Sequence, residues 1–219
     1  FLRDHIINGD RIFPGVAYLE MAIAGAKDAP GNPVNTIIDV TWVNAFNFDQ
    51  ENKQLYTNFV TKGNETSYQI YSGDESDKLI HSEGKLSYRN YQLNNATRQD
   101  VDSLKAGLFS IVAGDELYKR FETLGFHYGE SFRGIEKIWY NTNESLAAIK
   151  LPVLADYKLP LGILDGALQA CAVLAINKAL LVPYSIGRLS FITEIPNQVW
   201  CSVTRNEAGS NLESFHIRL

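Results

Sequence analysis

His5 is followed by Gly9 and then by Pro14 and Gly15, directly ahead of an apolar run. Histidine is the side chain best suited to take a proton near neutral pH. Free N–H groups at a helix start can receive a developing negative charge. A base beside such a site is what removal of a proton next to a carbonyl requires. The plainer alternative is that Gly9 and Pro14 only build a turn.

A second pair, Asp165 and Gln169, lies four apart in another apolar run. That spacing puts both on one helix face, where the amide can hydrogen-bond the carboxyl group. An aspartate so placed either caps the helix start or is a partly desolvated acid able to donate a proton. Capping is the commoner fate; Gln169, well inside the apolar run, shifts the reading modestly towards a site. A third stretch, LGFHYGESFRG from Leu124 to Gly134, sets Phe126, Tyr128 and Phe132 among glycines. It suits a loop lining an apolar pocket, with the Tyr128 hydroxyl as a polar handle, and equally a hairpin with core aromatics. His81, His127 and His216 have no evident partner and are read as surface or strand residues.

The elements that must hold these groups follow from pattern. Pro14 to Ala29 and Leu161 to Leu180 read as helices that are apolar nearly all round, the first with proline at its first helical position. Such helices are buried. Runs rich in β-branched and aromatic residues follow each of them: IIDVTWVNAFNF, QLYTNFVT, TSYQIYS and KLIHSEGKLSYRN after the first, VPYSIGRLSFITEI, VWCSVTR and LESFHIRL after the second. Between the two sets lie the polar stretch Asn90 to Ser103, read as a linker, a short helix near Gly114 to Leu124, and strands IEKIWYN and SLAAIKLPV. The chain is therefore a rough duplication with a boundary near residues 90–105: residues 1–95 carry His5 and residues 96–219 carry Asp165. A sheet curled around one apolar helix buries that helix in each half.

The 219 residues, 45% hydrophobic and 21% charged, suffice for one large domain or two packed halves. A net charge of −5 argues against a nucleic-acid binder. No apolar run is long enough for a transmembrane helix, and the first residues lack the pattern of a signal peptide; the chain reads as a piece excised from something longer. Cys171 and Cys201 are too few and too far apart for a disulfide or zinc framework, and a reducing, cytoplasmic setting fits. Cys171 is expected to be a small buried hydrophobe.

Taken together, these motifs resemble the dehydratase domains of modular polyketide synthases and animal-type fatty acid synthases. His5, Gly9 and Pro14 match HxxxGxxxxP, and Asp165 with Gln169 matches DxxxQ/H. Gly125 to Phe132 resembles GYxYGPxF, and Val182-Pro183-Tyr184 stands where LPFxW is expected. The order and separations agree over nearly the whole chain. Phe126, Glu130 and Ile186 depart from the pattern, at pocket positions and not at the acid–base pair. The resemblance implies an α+β double hotdog, two antiparallel sheets each wrapped around a buried helix. It implies dehydration of a β-hydroxyacyl thioester held on the phosphopantetheine of an acyl carrier protein, with no metal or redox cofactor. His5 would take the α-proton, an amide near Gly9 or Gly15 would polarise the thioester carbonyl, and Asp165 would protonate the departing hydroxyl, aided by Gln169 and Tyr128. Pro14 and Phe132 would shape the pocket. Partners implied are the carrier protein, neighbouring ketosynthase and ketoreductase domains, and a second copy in a homodimer formed through the first halves. Related alternatives are a double-bond-shifting, pyran-forming or product-template domain, a silent scaffold domain, and a hotdog thioesterase. Retention of Pro14 and Asp165 favours a dehydratase.

Overall fold

The computed structural model describes residues 1–26, 34–49, 54–63, 65–87, 99–152, 157–175, 182–191, 194–206 and 213–219. The chain opens with a small hairpin, β1 (His5–Ile7) against β2 (Asp10–Arg11). Asn8 and Gly9 connect the strands with φ of 52° and 89°. Two successive positive φ values make the tight turn that Asn-Gly favours, because its twist matches that of the strands it joins.

Helix α1 (Gly15–Gly25) comes next, with Pro14 in extended backbone as its N-cap. The expected Pro14–Ala29 helix is corrected at its start: Gly15 is the first helical residue. Positions 27–29 lie outside the described residues. Five consecutive residues of α1, Val16 to Glu20, are buried. Only a helix enclosed on every side hides a run of that length.

The strands that enclose it are β3 (Thr36–Trp42), β4 (Tyr56–Lys62), β5 (Glu65–Ser72) and β6 (Leu79–Ser87). The second half has α2 (Val101–Lys105), β7 (Ser110–Ala113), α3 (Gly114–Thr123), β8 (Phe126–Tyr128), β9 (Ile135–Tyr140), β10 (Glu144–Lys150), α4 (Leu161–Gln169), β11 (Ser185–Ser190), β12 (Gln198–Arg205) and β13 (Phe215–Arg218). The stretch read as a linker falls largely on residues 88–98, outside those described, and its last residues begin α2, capped by Asp100.

Among the described residues, two five-stranded antiparallel sheets result, in the orders β11-β3-β6-β5-β4 and β13-β12-β10-β9-β7, together with a three-stranded sheet β2-β1-β8. α1 packs on β4, β5 and β6, and α4 on β10 and β12. One expectation is corrected here. The strands after the second helix do not all wrap that helix, because β11 crosses to the first sheet and pairs with β3, Ile186 opposite Val40.

The second helix is also shorter than expected. α4 ends at Gln169, and a single 3-10 turn, Ala172–Leu174, follows; residues 176–180 are outside those described. The Ala170 carbonyl accepts from the Ser145 hydroxyl on β10 at 3.1 Å, so a tertiary partner takes the group that the next turn would have used. α4 lies between two cores. Leu161 and Leu164 pack with α1, Ile37 and Leu86, while Ile163, Ala167 and Ala170 pack with Ile138, Ile149 and Val203. At 100° per residue Asp165 falls on the Leu161 side, facing the first core.

Candidate active site

The β1-β2 hairpin decides the state of His5. Its turn folds the chain back, so that Ile12 N–H donates to the His5 carbonyl at 3.1 Å. The Ile12 carbonyl lies 2.9 Å from His5 Nδ1. A carbonyl can only accept, so Nδ1 carries a proton, and in the neutral ring the lone pair is on Nε2. The side chain is only 6% exposed, with its ring edge-on to Phe132 at 5.3 Å and to Tyr128 at 5.6 Å. Tyr128 is directly opposite His5 in the β1-β8 pair. Gly9 itself sits in the exposed turn; what its conformation accomplishes is to close the hairpin that brings Ile12 to His5.

Asp165 is 7% exposed and sits in the second turn of α4, whose first turn has no acidic residue. It is therefore no cap. Burial pushes its carboxyl above the usual range, while the nearby His5 and the N–H of Gln169 act in the opposite direction. Gln169 Nε2 donates to Asp165 Oδ2 at 2.8 Å and to the Phe132 carbonyl at 3.1 Å. Phe132, fully buried, thus meets both halves of the site: its ring touches His5 and its carbonyl holds the partner of Asp165.

Tyr128 is half-buried and stacked on Phe126. Burial pushes its hydroxyl up, and Asp165 and Tyr118 add to the shift. Among the described residues that hydroxyl makes no hydrogen bond. Gly15 opens α1, and its carbonyl accepts from Trp42 Nε1 at 2.9 Å. A Cβ there would come within 2.9 Å of the indole, so glycine permits this approach. Pro14 has no N–H to offer; its carbonyl accepts from Ala17 at 2.9 Å.

Three further residues, none of them assigned to the site from the sequence, bond around it. Tyr118 donates to Gln169 Oε1 at 3.1 Å and accepts from Ile135 N–H at 3.0 Å. Its only signal was its place on the buried stripe of α3 with Gly114, Leu117 and Phe121. Asp4 Oδ2 accepts from Ser131 N–H at 3.0 Å and Ser131 Oγ at 2.6 Å. Glu20 accepts from Lys158 N–H at 3.0 Å and Leu159 N–H at 2.8 Å. His81, expected at a surface or in a strand without a partner, is buried in β6, 2.8 Å from Ser72 Oγ. His127 and His216 are exposed. Cys201 is buried, and Cys171, expected to be buried, is half-buried; burial pushes its thiol up to about 12.

A family model described as the polyketide synthase dehydratase N-terminal domain matches residues 96–219. A second, described as the polyketide synthase dehydratase domain, matches residues 1–73. The chain is 29% identical over 240 residues to polyketide synthase PksM of Bacillus subtilis (strain 168), which covers 98% of this chain and 6% of that protein. It therefore spans only a small fraction of that relative. A trans-AT polyketide synthase dehydratase domain from Brevibacillus brevis superposes with a TM-score of 0.86 at 24% identity, over 99% of this chain and 82% of that one. CurK dehydratase has been solved as two inactive mutants, one Asp→Asn and one His→Phe. Their TM-scores are 0.84 and 0.83, each at 25% identity, with 99% of this chain covered and 82% and 81% of theirs. The fold is the double hotdog.

Proposed function

The chain belongs to the polyketide synthase dehydratase domains, and from that membership we propose that it removes water from a β-hydroxyacyl thioester carried on the phosphopantetheine of an acyl carrier protein. The observation that carries this reading is the fixed tautomer of His5 opposite a buried carboxyl of raised pKa at Asp165. His5 Nε2 takes the α-proton, and the electron pair of that C–H bond becomes the new C=C bond. The Cβ–O bond breaks, and Asp165 passes its proton to the departing hydroxyl, which leaves as water. Imidazolium and carboxylate remain, and return of the proton from His5 to Asp165 restores the starting state. Activation comes from the thioester itself, so the steps described need no metal or redox cofactor.

The Gly15 N–H, at the start of α1 and unpaired by any preceding helical carbonyl, is the amide assigned to the thioester oxygen. Tyr128 contacts the β-hydroxyl, and Gln169 orients Asp165. That CurK dehydratase loses function when an aspartate or a histidine is replaced supports the use of these two residue types. A cytoplasmic setting within a larger synthase, beside ketosynthase and ketoreductase domains and as a homodimer, belongs to the same proposal; two free cysteines support the reducing setting and the 6% coverage of PksM the larger synthase. Among the described residues no helix is long and apolar enough to cross a membrane.

The test is intact-mass analysis of a carrier protein loaded with a 3-hydroxyacyl group. The chain is expected to remove one water, and His5→Ala and Asp165→Asn are each expected to lower the rate by at least about 100-fold. Undiminished turnover in either variant overturns the roles. Double-bond migration without mass loss, or release of free acid, overturns the reaction.

A further inference from the structure

An amide side chain that orients a catalytic acid has a weakness: rotation by 180° exchanges its donor and its acceptor. In the inverted state Gln169 would point Oε1 at both the Phe132 carbonyl and Asp165 Oδ2, placing acceptor against acceptor twice. The observed state has Nε2 donating to both. The Phe132 carbonyl, which can only accept, already favours the observed state, and the group on the other side of the amide adds to that preference.

That group is Tyr118. Its ring sits in the second core, and its hydroxyl accepts from Ile135 N–H at 3.0 Å. One hydroxyl proton is left. The Phe132 carbonyl is 3.3 Å away but already accepts from Gln169, whereas Gln169 Oε1, at 3.1 Å, meets no other donor among the described residues. The proton therefore goes to Oε1, the nearer acceptor; an inverted amide would present N–H there, and the hydroxyl would have to accept from it and turn its proton to the longer contact at the Phe132 carbonyl.

We propose that Tyr118 is a positioning residue for Asp165: by donating to Gln169 Oε1 it locks the amide with Nε2 on Asp165 Oδ2, and so confines the transferable proton of Asp165 to Oδ1. The use to which that proton is put rests on the dehydratase reading; the lock itself does not. The charged and titratable groups facing the network are His5 on β1, Tyr128 on β8 and Arg133, whose guanidinium lies 4.7 Å over the Tyr118 ring. All are left in place by the substitutions below.

The experiment follows the Asp165 carboxyl carbon by 13C NMR as pH is raised, in the wild-type chain and in Tyr118→Phe, Gln169→Ala and the double variant. Loss of the lock removes an N–H that favours the carboxylate, so the midpoint is expected to rise by roughly one unit in each single variant, the size of one net hydrogen bond. The double variant is expected to rise no further, because Tyr118 acts through Gln169. An unchanged midpoint in Tyr118→Phe, or additive shifts in the double variant, overturns the proposal. Should removal of the hydroxyl cost the fold, 3-fluorotyrosine at position 118 keeps the ring and strengthens the donor. It is expected to move the midpoint downward, and no movement overturns the lock. If the chain dehydrates its substrate, Tyr118→Phe is expected to lower kcat by up to about 100-fold with KM nearly unchanged. If it does not, the NMR result stands by itself.

Discussion

Asp165 shows what burying a carboxyl does to the fold that holds it. Burial raises its pKa, so between the unfolded and the folded value the native chain binds the proton that the unfolded chain has released. Stability therefore falls as pH rises through that window, by about 1.4 kcal/mol for each unit of separation. Asp165→Asn has no proton to lose and still accepts from Gln169. It is expected to be more stable than the wild-type chain at pH 8 and to lose that advantage as pH falls through the carboxylate range, while losing activity. Thermal melts of both chains at several pH values measure this, and a difference independent of pH would refute it. The residues proposed to act, His5, Asp165, Gln169, Tyr128 and Phe132, stand out in the sequence by type and spacing. The groups that set their states do not. Ile12 acts on His5 through a carbonyl, which every residue possesses, and Tyr118 is 51 positions from the amide it bonds.

At the scale of elements, the site depends on how the Gly129–Phe132 loop is held to β1. Asp4 precedes His5 and accepts twice from Ser131, which holds its carboxyl below the usual range; its own carbonyl accepts from Gly129 N–H at 2.8 Å. Asp4→Ala keeps that last bond and loses the other two, at a cost of about 1.5–3 kcal/mol for bonds to a charged group, less what partial exposure screens. A depressed pKa contributes stability that is present above the unfolded value and lost as pH falls through the folded one. The deficit in urea denaturation is therefore expected to be full near neutrality and to shrink towards pH 3; a deficit unchanged by acid would show that the carboxylate is not responsible. Strand and helix types were legible along much of the chain because the periods are strong. Helix ends and sheet membership were not. α4 stops where Ser145 takes a carbonyl, and β11 leaves its sequence neighbours for β3; both outcomes are set by partners remote in sequence.

For the whole molecule, the question is whether the two halves can part. His5 comes ahead of α1 and Asp165 lies in α4, so the proposed site exists only while the elements around these two helices stay packed. The first core already includes Phe132, Leu159, Leu161 and Leu164 from the second half. Glu20 adds a polar tie: it stands inside α1, and both its oxygens accept backbone N–H groups just ahead of α4. It was legible as the one charge in an apolar helix, but its partners, 138 and 139 positions away, were not. Glu20→Gln offers one acceptor to two donors and turns an NH2 towards the other, so a loss of about 1.5–3 kcal/mol is expected. If the halves are one cooperative unit, that loss reaches both. The chain reports on this itself, because Trp42 lies in the first sheet while Trp139 and Trp200 lie in the second. With 5-fluorotryptophan incorporated, 19F spectra in rising urea should show all three resonances changing at one midpoint, and Glu20→Gln should lower that midpoint for all of them equally. A shift confined to Trp42 would mean that the first half unfolds alone, and that the approach of His5 to Asp165 is a docking equilibrium, not a property of a single fold.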